Sequence, residues 1–270
     1  MVEYLNTSDI HFNHDVADRD SLDQDSDGGS DNSNESYSPY TPEGLVWFFT
    51  DFYEFLATLH YDPADLKYPP PEGWDKSMLP NTIMEKKSEG VVEFMRQLPY
   101  FRQRADGKST HIMNGSEIWC TLTGPVDHSN LLVFAAGWES FGRTFIIDVL
   151  HGEITEEIVR CDTVSFVEVE PFFEDLKEKY RSLQLIPCPG RITCEAHGIP
   201  ERSEEIAEVE VLAQKDVWFG GSDLDWQYVR QVYRQFGWPD EFRRDEAFAF
   251  LEGFMERNGH RPGDWETSNQ

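Results

Sequence analysis

The chain predicts an α+β domain: one central antiparallel sheet of about five to six strands, with helices N-terminal and C-terminal to it. Three observations carry this. Apolar residues recur at helical spacing towards both ends of the 270-residue chain. Between 109 and 160 the pattern changes to short apolar runs separated by tight turns. No internal repeat is apparent that would point to a solenoid or propeller instead.

The first 40 residues hold eight Asp, two Glu and one basic residue, Arg19. Such a segment cannot bury enough apolar surface to offset its ordering entropy, so 1–40 is expected to be an acidic disordered lead. Ser21, Ser26, Ser30 and Ser36 lie among its acids and resemble acid-directed kinase sites, although a solubilising tail is the simpler reading. A single folded domain is expected from 41 to 258, followed by a short polar tail, 259–270.

Thr41 is placed to cap a first helix, with Pro42 at its first position and Glu43 complementing the helix dipole. In the run that follows, Leu45, Phe48, Phe49, Phe52, Phe55, Leu56 and Leu59 share one face, and core packing is the expected use of that face. Asp62-Pro63 stops the helix, and YPPPEGW (68 to 74) reads as a stiff, exposed connection. A second helix starts near Ser88, shows Val91, Val92, Phe94, Met95 and Leu98 on one side, and ends at Pro99. THIM, EIWCTL, NLLVFAA, TFIIDVL and EITEEIV then read as five strands joined by short links, hence an antiparallel meander. Residues 169 to 184 form a third helix and CPGRITCEAHGIP a loop, with a short helix in EEIAEVEVLAQ. The run 224 to 236 and the segment after Gly237-Trp238-Pro239 form two closing helices, the first capped by Asp223 or Asp225 and the second ended by Gly259.

Composition narrows the function. Net charge is −28, from 51 acidic and 23 basic residues. Nucleic acid as a partner is disfavoured, because phosphate binding needs clustered Lys and Arg. Anionic membrane surfaces are disfavoured for the same reason. The longest apolar run, LLVFAAGW, is too short to span a bilayer. No secretory signal is visible, and the four cysteines are too scattered for a disulfide framework. A cytoplasmic protein is expected, and a nuclear location is compatible with the same features.

The motifs that would carry chemistry are weak. Cys188, Cys194 and His197, with Cys161, do not have the tight paired spacing of a zinc site, so no metal and no cofactor are expected. There is no nucleophile elbow and no phosphate-binding glycine loop. His111, His128 and His151 sit near strand ends, with Cys120 and Asp148 in neighbouring strands, which leaves a hydrolase-like His/acid pocket as the alternative function. Arg230, Arg234, Arg243 and Arg244 form the densest positive cluster; they either grip the acidic lead or make ordinary ion pairs on helix faces.

Two blocks, SEGVVEFMRQLPYF (88 to 101) and YRQFGWPDEFRRDEA (233 to 247), resemble segments of an uncharacterised filamentous-fungal protein family. The proline-rich loop with Pro70, Pro71, Gly73 and Trp74, the strand pair around AAGWESFGRTFIIDVLHGEIT and the helix running into KYRSLQLIPCPGR follow in the same order. That strand pair is also similar to the SUKH superfamily, whose members include cell-wall-synthesis regulators and toxin-immunity proteins. The resemblance implies an α+β scaffold that binds proteins without catalysis, with Trp138, Asp148 and Gly152 in the matching sheet motif. The Asn-Gly of that family after the first helix is absent here. The expected function is therefore a non-enzymatic, SUKH-like protein-interaction domain. Its candidate contacts are Trp74, Tyr100, Phe101 and Trp138, which lie at element ends or loops where packing explains them least, together with Asp148 of the sheet motif that the resemblance implies.

Overall fold

The computed structural model describes residues 40–59, 61–79, 81–102, 111–113, 116–118, 129–137, 142–158, 166–187, 193–214 and 222–257. The acidic lead up to residue 39, its serines and the tail beyond 257 lie outside the described residues.

Helix α1 (Pro42–Leu59) opens where the capping residues predict: Thr41 Oγ1 accepts from Gly44 N at 3.2 Å. The chain then turns through Pro63–Asp65, with the Asp62 carboxylate accepting from Ala64 N, into the two-residue strand β1 (Leu66–Lys67). After the proline-rich loop come α2 (Asn81–Lys86) and α3 (Glu89–Gln97), the latter capped by Ser88. Pro99 ends α3 as expected, but Tyr100 and Phe101 continue as strand β2 (Tyr100–Phe101), antiparallel to β1.

The middle of the chain is the meander. Strands β3 (His111–Met113), β4 (Ser116–Ile118), β5 (Leu131–Gly137), β6 (Arg143–Asp148), β7 (Glu153–Ile158) and β8 (Val167–Glu168) lie side by side in sequence order, every neighbouring pair antiparallel. The longer strands are the inner ones. β8, which is not among the five predicted strands, is an edge of two residues leading straight into α4 (Val169–Arg181).

A second small sheet pairs β9 (Leu185–Pro187) with β10 (Thr193–Glu195). The sequence predicts a loop across β10. Its polar and short residues give no local strand signal, and only pairing with β9 makes it one. α5 (Glu208–Leu212), α6 (Asp223–Gln235) and α7 (Arg244–Arg257) complete the fold. The cap of α6 is Ser222, not Asp223 or Asp225; Asp225 instead completes a capping box by accepting from Ser222 N at 2.6 Å.

One core joins these parts. Phe49 of α1 is its hub: its ring centroid lies 5.4 Å from Phe94 of α3, 4.9 Å from Phe134 of β5 and 4.9 Å from Phe173 of α4. Each such edge-on pair contributes about 0.5–1.5 kcal/mol beyond the area it buries. The sheet thus packs one face against α1 and α4 through Leu132, Phe134, Phe145, Ile147 and Ile154. At the C-terminal end, Tyr233 stacks on Trp238, whose indole N–H is shared between the carbonyls of Tyr180 and Arg181 at 3.1 Å each. The Gly-Trp-Pro motif is therefore a clasp between α6 and the end of α4.

Candidate functional site

The candidate contacts fall in three places. Trp74 and Tyr100 come together. Trp74 lies at the end of the proline-rich loop, where Gly73 takes φ +78° and its N–H donates to Pro70 O at 2.7 Å. A Cβ at Gly73 would lie 2.9 Å from Gln97 Nε2 and 3.1 Å from Arg96 O, so glycine permits the close approach of loop to helix. Trp74 N donates to Arg96 O at 2.9 Å and its indole N–H to Leu98 O at 2.8 Å. Arg96 Nε donates back to Trp74 O at 2.8 Å, and its guanidinium also bonds Glu72 O and the Glu93 carboxylate. The half-buried indole is thus held rigid, and the half-buried Tyr100 ring packs at 5.1 Å from it. Tyr68, which follows β1, is exposed, and its hydroxyl donates to Glu54 at 2.9 Å.

Phe101 is elsewhere. It is 3% exposed and sits in the core, 5.5 Å from Tyr53 and 5.2 Å from Tyr61. The sequence places it at an element end. Strand alternation from Tyr100 turns its ring inward instead, so it offers no surface to a partner. Trp138 lies outside the described residues.

Asp148 ends β6 and organises the turn to β7. Its Oδ1 accepts from Leu150 N at 2.9 Å and His151 N at 3.1 Å; its Oδ2 meets His151 Nδ1 at 2.9 Å. That hydrogen bond and the carboxylate charge raise the His151 pKa above the ordinary imidazole value. Gly152 completes the turn at φ +71°. This is a His–carboxylate pair at a strand end, as the hydrolase alternative requires. No hydroxyl or thiol of the described residues is hydrogen-bonded to the imidazole. His128 and Cys120 lie outside the described residues.

The remaining motifs resolve into packing. Arg230 is buried and donates to three backbone carbonyls, Leu183, Ile199 and Ala196. Arg234 pairs with Glu201. Arg243 lies over the Phe236 ring at 5.3 Å, and Arg244 donates to Tyr61 O at 2.6 Å. The contacts of these arginines among the described residues are thus ion pairs, ring packing and backbone carbonyls, while the acidic lead they could grip lies outside the described residues. Arg243 and Arg244 also line an open depression of about 430 Å3, with Thr58, Pro63 and Phe242. Cys194 is buried in β10, while Cys161 and Cys188 lie outside the described residues. Among the described residues no group of three or more His, Cys, Asp or Glu is placed to hold a metal ion, and no helix is long and apolar enough to cross a membrane.

Two surfaces carry features the sequence reading does not single out. Phe166, Val167 and Leu150 are 63%, 42% and 52% exposed at the β6–β7–β8 corner. Trp47 is exposed on α1, against Phe48. A strand-like SFVEVE run before a helix was the available signal for the first. No family model matches the chain, and neither a curated protein nor a solved structure does.

Proposed function

We propose that the chain is a non-enzymatic, SUKH-like protein-interaction domain, acting as a scaffold or regulator. The observation that carries this reading is the Trp74–Tyr100 ledge. Trp and Tyr are the residue types that dominate binding energy at protein interfaces, and a ring immobilised before binding loses little entropy when a partner arrives. Trp74 makes three hydrogen bonds to the end of α3 and still leaves part of its ring to solvent. The net charge of −28 favours a partner of complementary, basic character and a fast, salt-sensitive encounter.

The test is affinity capture with the full chain as bait, comparing wild type with Tyr100→Ser and Tyr68→Ser. The captured partner is then titrated in purified form against the same three proteins. A hot-spot loss of about 2 kcal/mol corresponds to about thirtyfold weaker binding for Tyr100→Ser. Its thermal midpoint should stay within about 3 °C of wild type, because the backbone pairing of Tyr100 with Lys67 remains. A partner held equally by all three baits would remove the ledge from the interface and the reading with it.

A further inference from the structure

The register of the sheet brings three carboxylates into one row. Asp148 of β6 lies directly opposite Glu153 of β7, and Glu153 lies directly opposite Glu168 of β8. Directly opposed residues share a face with Cβ atoms about 5 Å apart, and like charges so placed are destabilising. Glu170 follows in the first turn of α4, hydrogen-bonded to the Tyr40 hydroxyl. Among the described residues Glu153, Glu168 and Glu170 form no ion pair with Lys or Arg, and the one ion pair of Asp148 is with His151, at 2.9 Å. The other end of the same strand pair is different. There Arg143 sits between Glu156 and Glu195 and compensates both.

The row borders exposed apolar surface. Phe166 stands two positions before Glu168, so strand alternation puts it on the same face, and Leu150 projects from the adjoining turn. β8 is the last strand of the described sheet. An exposed apolar edge beside carboxylates that pair with no Lys or Arg among the described residues is matched by a chain with positive charges and apolar side chains in alternation.

We propose that the β6–β7–β8 corner is a docking surface for a basic segment of a partner protein. Lysine or arginine side chains of that segment engage the Asp148–Glu153–Glu168 row, and an apolar side chain packs on Phe166. The proposal rests on the protein-binding reading, but on residues separate from the Trp74–Tyr100 ledge. Binding of cations relieves the repulsion within the row, so the surface is more stable occupied than empty.

The probe is a fluorescent dodecapeptide of alternating Lys and Leu, titrated against the full chain by anisotropy, with the Glu-Leu counterpart as control. The expected result is saturable binding of the basic peptide alone, weakened at least tenfold by Glu153→Gln/Glu168→Gln and also by Phe166→Ser. Glu252→Gln/Glu256→Gln removes the same charge from α7 and should leave the affinity within twofold of wild type. So should Tyr100→Ser, which separates failure of this site from failure of the ledge. Glu153→Gln alone, expected to weaken binding at least threefold, serves if the double variant does not fold. Equal loss from the α7 pair, or no loss from the glutamine variants of the row, overturns the proposal, as does absence of binding.

Discussion

Arg230→Met tests the strongest single claim about what holds the C-terminal half together. Arg230 is 3% exposed, and burial lowers the pKa of its guanidinium from the ordinary value. Among the described residues no carboxylate lies within ion-pair distance of it. Its donors go to Leu183 O at 3.0 Å, Ile199 O at 2.6 Å and Ala196 O at 2.6 Å. One side chain on α6 thereby ties down both the end of α4 and the segment after β10. Methionine retains the apolar stem and strands two buried acceptors and one half-buried one, at about 1.5 kcal/mol each. Relief of the buried charge returns roughly 1–2 kcal/mol. The net expected loss is about 3 kcal/mol, or a fall in Tm of about 6–12 °C for a domain of this size. Urea unfolding followed by tryptophan fluorescence measures it, with an unchanged m-value confirming that stability alone has moved. Arg234→Met is the control: that side chain is exposed and pairs with Glu201, and its loss should stay below about 1 kcal/mol. If Arg230→Met costs no more than Arg234→Met, the three-carbonyl clasp does not stabilise the fold and the reasoning fails.

His151 and Gly237 provide two more tests. The folded-state pKa of His151 is raised, so its pairing with Asp148 is complete below the ordinary imidazole value of about 6.5 and is lost as pH rises through the higher folded value. An NMR titration should therefore find the His151 midpoint above that of a model imidazole, and Asp148→Asn should return it; a midpoint unmoved by Asp148→Asn would remove the carboxylate as the cause. At Gly237, φ is +88° and a Cβ would lie 2.4 Å from Glu241 O, whereas at Gly198 nothing lies within 4 Å. Gly237→Ala should lower stability by about 2–4 kcal/mol, and Gly198→Ala by well under 1 kcal/mol in the same thermal melt.

The sequence by itself determined the local structure. Helical periodicity specifies α1, α3, α4 and α6, capping residues add the starts of α1 and α3, and the apolar runs between turns specify the inner strands. These signals arise within about a dozen neighbouring residues, and local sterics and hydrogen bonding suffice to express them. The pairing of Trp74 with Tyr100 was half visible, since both were candidates, though nothing in the chain indicated that one would pack on the other. Tertiary structure alone decided the rest. Phe101 went into the core because β2 found β1 as a partner 35 positions earlier (Leu66 opposite Phe101). Arg230, Arg234 and Arg244 separated because their acceptors, such as Tyr61 O for Arg244, come from distant parts of the chain. The row of Asp148, Glu153 and Glu168 exists only in the register of three strands, and a slip of one residue would put alternate side chains on that face. Periodicity is a property of neighbours along the chain; burial and register are properties of neighbours in space, and the residues that a partner would touch are chosen by the second.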